Sequence, residues 1–331
     1  MRLSRPKSLP ELFPATTLES QTDDRAPAVA ADELRSHGVL ILERQANCPF
    51  RAFVEVRLLA PEPQAQEMGL APTERGKLVE TALQLAWEQL RDKFTLENCG
   101  EGRLREIIQA AVDGAFRKLE FEPADDWEER YLGIERERLQ ALLGEWLEFE
   151  RSREHFEVVA HQREIPLELA GLRLRVRPDR LDRLRDGSLV ILDYKSGKQS
   201  LGPSQWRTPR PGKPQLPSYA VALAEQSPAP AIGGVAFALV RRGKCGMAGI
   251  SERPEILGKK SLRGDGLKES LASWRPELES LARDFLGGGA RIDPKRASTC
   301  DDTYCGLHAL CRVAEIDIPA EAQEGQDDAS E

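Results

Sequence analysis

A short charged hairpin constrains the fold of this chain more than any other feature. The stretch from Arg177 to Lys198 reads RPDRLDRLRDGSLVILDYKSGK. Its Asp186-Gly187 pair favours a tight turn between two strands. The continuous apolar run 189–192 that follows predicts a strand buried on both faces. We therefore expect a β-hairpin in the protein core whose strands end in charged residues.

The end of the second strand carries a candidate catalytic group. Alternate side chains of a strand share one face, so Asp193 and Lys195 should point the same way and Tyr194 the opposite way. Asp179 stands near the start of the partner strand. Two carboxylates and a lysine at a sheet edge suit a divalent cation and an activated water. An isolated D-x-K pattern is also typical of an ordinary surface hairpin, so the surrounding sequence has to decide between the two interpretations.

The negative charge of the chain is concentrated at its end. Of the net charge of −8, the segment from Glu315 to Glu331 supplies −7, because it holds seven acidic residues and no basic ones. A basic stretch follows the hairpin, and its charged residues are Lys195, Lys198, Arg207, Arg210 and Lys213. Such a stretch suits a polyanion that approaches the site. We expect the basic residues from Lys198 to Lys213 to follow a nucleic-acid backbone without reading its sequence.

The chain is long enough for one large domain or two smaller ones. Its composition predicts a flexible leader at residues 1–37, an ordered domain at 38–313 and a disordered acidic tail at 314–331. No apolar run is long enough to cross a bilayer, and no apolar stretch follows the N-terminal MRLSRPK. These features predict a cytoplasmic protein without a membrane partner.

Hydrophobic periodicity predicts helices and strands in both halves of the chain. The predicted helices span residues 51–59, 74–93, 104–119, 135–154, 215–225 and 273–286. The predicted strands outside the hairpin span residues 38–42, 156–160, 166–169, 172–176, 232–240 and 245–251. The strands between residue 156 and the hairpin follow one another closely, so we expect them to form a consecutive antiparallel meander with it.

The cysteines indicate a metal or iron–sulfur role, since structural disulfides are unusual in the cytosol. Cys300, Cys305 and Cys311 follow the spacing C-x4-C-x5-C. Three ligands are one short of a closed site, so a fourth has to come from elsewhere in the chain. The candidates are Cys48, His308, Cys245 and Cys99. A zinc site and a [4Fe–4S] cluster are both compatible with this spacing.

Three motifs in order carry a family resemblance. They are Asp179-Arg-Leu-Asp182, Asp193-Tyr-Lys195-Ser-Gly197 and Gln215-Leu-Pro-Ser-Tyr219. Together they resemble the PD-(D/E)xK nuclease domain of the RecB/AddB type, the C-terminal module of helicase-like DNA repair proteins. The flanks match as well, because CPFR at residues 48–51 and the C-terminal cysteines resemble the iron–sulfur ligands of that family. The resemblance covers residues 40–313 and identifies 38–313 as one nuclease domain with cluster ligands at both ends.

The resemblance implies an α/β fold with a restriction-endonuclease-like core. That core has a mixed central sheet with antiparallel hairpins, flanked by helices, and the family adds a helical insertion and an iron–sulfur staple. It also implies that Asp179 and Asp193 bind Mg²⁺ or Mn²⁺, and that Lys195 positions or deprotonates the attacking water. Gln215 and Tyr219 become supporting residues beside the site.

The resemblance further implies a [4Fe–4S] cluster that acts as a staple and not as a redox centre. Its ligands are Cys48, Cys300, Cys305 and Cys311. The implied activity is a metal-dependent deoxyribonuclease, an exonuclease or single-strand endonuclease that acts in recombination and double-strand break repair. The implied partners are DNA and a helicase or helicase-like protein, with no small-molecule substrate.

The sequence departs from the family pattern at two places. The first two C-terminal cysteines are usually separated by two residues, whereas four separate Cys300 from Cys305. The first helix of RecB-type members usually carries a metal-binding histidine at the position of Glu80. Glutamate is a hard oxygen donor that suits Mg²⁺, so we expect Glu80 to be a metal ligand. The alternative is a catalytically weakened iron–sulfur subunit that binds DNA or acts as a scaffold in a helicase–nuclease complex.

Overall fold

Most of the chain between residues 38 and 313 is described by a computed structural model. The described residues are 24–29, 38–60, 69–119, 123, 125–197, 201–206, 209–259, 261–296, 298–303 and 305–313. The predicted acidic tail at 314–331 and most of the predicted leader at 1–37 lie outside them. Lys198 and Arg207 of the basic stretch lie outside them as well.

A six-stranded mixed sheet forms the centre of the fold, with the strand order β1-β4-β5-β6-β7-β8. These strands are β1 Phe156–His161, β4 Arg180–Leu184, β5 Leu189–Lys195, β6 Ile232–Leu239, β7 Gly246–Ser251 and β8 Ser261–Gly264. The pairs β5–β6 and β7–β8 are parallel, and the other neighbours are antiparallel. Strands β2 (Ile165–Leu169) and β3 (Leu172–Val176) pair with each other in a separate hairpin.

Helices cover both faces of this sheet. They are α1 Leu40–Asn47, α2 Pro49–Ala52, α3 Pro72–Leu90, α4 Lys93–Asn98, α5 Glu101–Arg117, α6 Asp126–Glu150, α7 Gln215–Ala224, α8 Pro254–Leu257, α9 Leu267–Leu286, α10 Thr299–Asp302 and α11 His308–Cys311. A π-helical turn at Phe53–Arg57 continues α2, and a 3₁₀ turn spans Pro203–Trp206. One hydrophobic core lies under α3, α5 and α6. The other lies under α1, α7, α9 and the β2–β3 hairpin. The predicted mixed sheet flanked by helices is confirmed.

The central strands are buried on both sides, as their apolar sequences require. Val190 and Leu192 of β5 pack into the first core, whereas Ile191 packs into the second. Close packing also explains one glycine, because a Cβ at Gly249 would overlap the carbonyl oxygen of Val235 on the neighbouring strand. The parallel pair β5–β6 needs a crossover connection, and α7 lies within it.

Two details of the predicted topology are wrong. Residues 38–42 do not form a strand, because Ile41, Leu42 and Gln45 are buried at helical spacing in α1. The meander is also interrupted, since β4 pairs with β1 and β5, and β3 pairs among the described strands only with β2. Strands β2 and β3 each expose alternate residues. One polar face suits a two-stranded ribbon on the surface better than a place in a sheet covered on both sides.

Candidate active site

One cavity of about 280 Å³ is lined by all the residues that were predicted to form the catalytic and metal centre. They are Glu80, Asp179, Asp193, Lys195, Gln215 and Tyr219. Four parts of the fold contribute them, namely α3, the residue before β4, the end of β5 and the first turns of α7. The fold therefore brings together side chains that are up to 139 positions apart in the sequence, from Glu80 to Tyr219.

Asp193 and Lys195 lie side by side at the end of β5. The Nζ of Lys195 is 2.6 Å from Oδ2 of Asp193. The hydroxyl of Tyr219 donates a 3.4 Å hydrogen bond to Oδ1 of the same carboxylate. Tyr194, between the two charged residues, packs into the core on the opposite face. The arrangement agrees with the alternation expected of a strand.

Asp179 is held by the backbone of the neighbouring strand. The amide N–H of Tyr194 donates a 2.7 Å hydrogen bond to Oδ2 of Asp179. Because Tyr194 directly follows Asp193, this bond ties the two carboxylates to adjacent positions of one hairpin. The register of β4 and β5 therefore sets their separation.

The carboxylates of the cavity destabilise one another. Burial raises the pKa of Glu80, and the charge of Asp193 raises it further, although Lys195 acts in the opposite direction. Burial also raises the pKa of Asp179 well above its usual range, and Asp193 and Glu80 add to that effect. A partly buried group of like charges is stabilised by a bound cation.

A divalent cation fits this donor set. Oδ2 of Asp193 is buried and accepts no well-directed hydrogen bond from the described residues, although the Lys195 ammonium lies beside it. Carboxylate oxygens are the ligands that Mg²⁺ prefers. Among the residues that the structure describes, no three His, Cys, Asp or Glu side chains are grouped at the spacing of a formed metal site. The Lys195 ammonium lies where a cation bound to Oδ2 of Asp193 would lie.

Cys48, Cys305 and Cys311 lie close enough to Cys300 for their charges to act on its pKa, although no three cysteines of the described residues are grouped at metal-ligand spacing. Cys48 separates α1 from α2, whereas Cys300, Cys305 and Cys311 belong to the segment of α10 and α11. Burial raises the pKa of Cys300 to about 11, and the charges of the other three thiols and Asp301 contribute to the shift. Burial also raises the pKa of Cys48, but backbone hydrogen bonds from Asp293, Arg51 and Phe50 favour its thiolate. None of the cysteines, all of which belong to the described residues, forms a disulfide.

The other candidates for the fourth ligand lie elsewhere or face solvent. Cys99 and Cys245 pack against the core beneath α3, α5 and α6, on the other side of the sheet from α1. His308 is exposed on α11. Of the candidates for the fourth ligand, Cys48 is the one whose charge affects the pKa of Cys300.

Two residues of the basic stretch after the hairpin, Arg210 and Lys213, form contacts within the protein. Arg210 donates hydrogen bonds to the carbonyl oxygen of Ala46 and to the side chain and carbonyl oxygen of Asp293. Lys213 lies 2.7 Å from Glu43 of α1. These contacts hold the loop before α7 against α1, and they argue against the predicted role of Arg210 and Lys213 in following a nucleic acid.

Two arginines of the cavity wall were missed by the sequence reasoning. Arg175 and Arg177 line the cavity together with the predicted residues. The signal was the alternation LRLRVR at residues 172–177, which places every second side chain on one face. It had been used only to predict a strand.

The comparison with known families agrees with this geometry. A family model described as the PD-(D/E)XK nuclease superfamily matches residues 39–312. The chain therefore belongs to that superfamily, whose members are nucleases that usually use divalent metals such as Mg²⁺. None of the curated proteins compared with the chain matches it. Within the described residues, no helix is both long and apolar enough to cross a membrane.

The raised pKa values predict a pH-dependent effect of Mg²⁺ on stability. Since the pKa values of Glu80 and Asp179 are raised by folding, their ionised forms destabilise the protein at neutral pH, and the penalty disappears as the pH falls toward their usual values of 4.5 and 3.8. A cation requires the ionised carboxylates. We expect Mg²⁺ to raise the midpoint of thermal unfolding relative to EDTA, and to raise it more at about pH 7.5 than at about pH 5.5.

Calorimetry at both pH values measures this effect. Asp179→Asn is expected to reduce the Mg²⁺ shift, whereas Asp126→Asn, on an exposed residue at the start of α6, should leave it unchanged. An equal Mg²⁺ shift at both pH values in the wild type would contradict the prediction.

Proposed function

We propose that the protein is a Mg²⁺- or Mn²⁺-dependent deoxyribonuclease of the RecB/AddB type. It hydrolyses phosphodiester bonds as an exonuclease or single-strand endonuclease in recombination and double-strand break repair, with a helicase or helicase-like partner. The observation that carries the activity is the shared cavity of three carboxylates and Lys195 within a nuclease-superfamily domain. The type, the repair context and the partner rest on the sequence motifs.

The carboxylates supply the metal site in this proposal. Glu80, Asp179 and Asp193 would hold one or two divalent cations, which lower the pKa of a bound water and polarise the scissile phosphate. Glu80 takes the place of the usual histidine. Its position on the cavity wall and the effect of Asp193 on its pKa support a direct role.

Lys195 supplies a hydrogen-bond donor and a positive charge. Burial lowers its pKa, but the Asp193 carboxylate outweighs burial and raises it above the usual value. Beside the Asp193 carboxylate, the ammonium form of the side chain is therefore favoured before a cation binds. A protonated lysine can position the attacking water through its oxygen and stabilise the negative charge that develops on the phosphate.

Two residues of α7 support the site. Burial raises the pKa of Tyr219 well above its usual value, and Asp193 and Asp179 add to the shift, so the phenol remains a donor to Asp193. Gln215 lies one helical turn earlier, on the same face. Its amide lines the cavity, where it can both donate to and accept from a bound phosphodiester.

A cleavage assay tests the proposed activity. Purified protein is incubated with end-labelled linear DNA, single-stranded or duplex, in Mg²⁺, in Mn²⁺ or in EDTA. We expect cleavage with either metal and none in EDTA, and the product lengths separate exonuclease from endonuclease action. The inactive control is Asp193→Asn, and the matched surface control is Asp126→Asn. Cleavage by Asp193→Asn at the wild-type rate would overturn the assignment.

We also propose that Cys48, Cys300, Cys305 and Cys311 bind a [4Fe–4S] cluster that joins the two ends of the domain. The effect of Cys48, Cys305 and Cys311 on the pKa of Cys300 and the backbone N–H groups directed at Cys48 support this ligand set. The two ends are already in contact, because Arg51 of α2 donates hydrogen bonds to the carbonyl oxygen and hydroxyl of Thr303.

Replacing Cys48 by serine should remove the cluster. We expect anaerobically purified wild type to be brown with about four iron atoms per chain, and Cys48→Ser to lose most of its iron and visible absorption. Cys245→Ser is the matched control and should keep both. A colourless wild type that contains zinc would contradict the cluster and favour a zinc site.

A further inference from the structure

A row of three arginines extends along the surface beside the catalytic cavity. In the segment 172–177, Leu172, Leu174 and Val176 are buried, and the residue after each of them is exposed. Those exposed residues are Arg173, Arg175 and Arg177, here called the arginine ladder. Alternate residues of a strand lie about 6.7 Å apart on one face. The ladder therefore offers three separate guanidinium groups in a line.

The ladder connects the cavity to a second groove. Arg175 and Arg177 line the catalytic cavity of about 280 Å³. Arg173 and Arg175 line a groove of about 630 Å³ between the β2–β3 hairpin and α7. Arg175 thus borders both spaces. A strand lying in the groove would therefore meet the catalytic cavity at Arg175.

The ladder arginines are available to a ligand. Arg173 lies 3.5 Å from Glu168, and its side chain is 87% exposed. Arg175 lies 3.3 Å from Glu164, and its side chain is 81% exposed. Exposed ion pairs of this kind contribute little to stability and are readily exchanged. Arg177 forms no ion pair with any carboxylate of the described residues, although its charge acts on Glu80.

The acidic residues of the groove do not cancel this charge. Glu168 and Glu225 line the groove. Glu225 is already paired with Arg275 of α9. Glu168 faces Arg173 and Glu164 faces Arg175, so Arg177, nearest the catalytic carboxylates, is the ladder arginine without an ion-pair partner among the described residues.

We propose that the arginine ladder binds the phosphate backbone of the DNA strand that is cleaved, an inference that rests on the proposed nuclease function. Guanidinium groups bind phosphate through paired hydrogen bonds. Phosphate contacts position a strand without reading its bases. The ladder takes over the role that the sequence suggested for Arg210 and Lys213, whose charges are paired with Asp293 and Glu43.

Binding under conditions that prevent cleavage tests the ladder. The variant Arg173→Ala/Arg175→Ala/Arg177→Ala is compared with the wild type by fluorescence anisotropy of a labelled single-stranded oligonucleotide in EDTA. We expect Kd to rise on the order of tenfold at about 50 mM KCl. Across about 50 to 200 mM KCl, the slope of log K against log salt should become shallower by about 2, since each lost phosphate contact on a single strand contributes about 0.7.

Two control variants make the test specific. Arg183 of β4 is also exposed and lies 3.5 Å from a glutamate, Glu157, so Arg183→Ala removes an equivalent pair from a different face. It should leave Kd and the salt slope unchanged. Replacing all three ladder arginines by lysine should retain most of the salt slope, because the charge remains. Circular dichroism melting checks that each variant is folded.

The outcomes separate the ladder from the nuclease function. Wild-type Kd and salt slope in the alanine variant, or no binding by the wild type, would overturn the ladder proposal, whatever the cleavage assay gives. A second outcome is that the wild type cleaves DNA with metal while the triple alanine variant binds DNA with the Kd of the wild type. That result would leave the nuclease function standing and overturn the ladder proposal. Binding that depends on the ladder, without cleavage by the wild type under any metal, would support the DNA contact and overturn the nuclease assignment.

Discussion

Lys195→Ala is expected to lower the rate constant of DNA cleavage by about 100- to 1,000-fold, the usual effect of removing a group that stabilises transition-state charge. Lys195 ends β5, and its Nζ lies 2.6 Å from Asp193 in the wall of the cavity. Alanine removes the only lysine ammonium that lines the cavity among the described residues. Single-turnover cleavage of single-stranded DNA at saturating protein measures the chemical step directly.

The dependence on Mg²⁺ distinguishes loss of chemistry from loss of the metal. In the proposed site, the ammonium of Lys195 and a divalent cation would compete for the same carboxylate oxygen of Asp193. The Mg²⁺ concentration for half-maximal rate should therefore not rise in Lys195→Ala. Lys244→Ala, at an exposed lysine between β6 and β7, is the matched control. Wild-type rates in Lys195→Ala would show that the proposed mechanism is wrong.

Local sequence was sufficient for the hairpin and for the direction of its charged side chains. The Asp186-Gly187 turn, the apolar run of β5 and the period of two together placed Asp193 and Lys195 on one face. Motif order then added Glu80 and the α7 residues to the same site. All these features depend on short-range geometry or on a resemblance that spans the domain.

Long-range pairing could not be predicted from the same patterns. The alternation of β3 fits a meander and a surface ribbon equally well, and only the partners of β4 decide between them. The apolar run before residue 42 is too short to distinguish a strand from the first turn of α1. Arg210 and Lys213 looked free because their partners, Asp293 and Glu43, are 83 and 170 positions away.

A buried ion network on the reverse face of the hairpin was also not predicted. Arg180 and Asp182 of β4 meet Glu150 and Arg153 from the end of α6, and all four side chains have 0% exposure. Arg180 lies 2.7 Å from both carboxylates, and Arg153 lies 2.6 Å from Glu150 and 2.8 Å from Asp182. The two positive and two negative charges balance without solvent.

This network supports the catalytic strands from behind. Arg180 also donates a 3.0 Å hydrogen bond to the hydroxyl of Tyr194. Arg180 directly follows Asp179, and the backbone N–H of Tyr194 binds the Asp179 carboxylate. The two residues that set the position of Asp179 are thus joined to each other through their side chains on the opposite face. The second aspartate of the D-R-L-D motif therefore has a structural role.

Asp182→Ala is expected to reduce the free energy of unfolding by about 3–5 kcal/mol, because it leaves two buried arginines with one carboxylate. Burial works against the charged form of Asp182, but Arg180 and Arg153 outweigh it and lower the pKa of Asp182. A lowered pKa stabilises the fold above the usual value of 3.8, and this contribution is lost as the pH falls through the folded-state value. A second variant, Asp182→Asn, removes the charge but keeps the size of the side chain. Its loss in free energy of unfolding relative to the wild type should therefore be largest at neutral pH and smaller in acid.

Urea unfolding followed by tryptophan fluorescence measures both effects. Glu157→Gln is the matched control, since Glu157 pairs with Arg183 at 3.5 Å on an exposed surface of the same sheet. It should change stability by less than about 1 kcal/mol. If Asp182→Ala were as mild as this control, the network could not be what holds Arg180 and Tyr194 behind the catalytic strands. The position of Asp179 would then depend only on the backbone hydrogen bonds between β4 and β5 and on the backbone N–H of Tyr194.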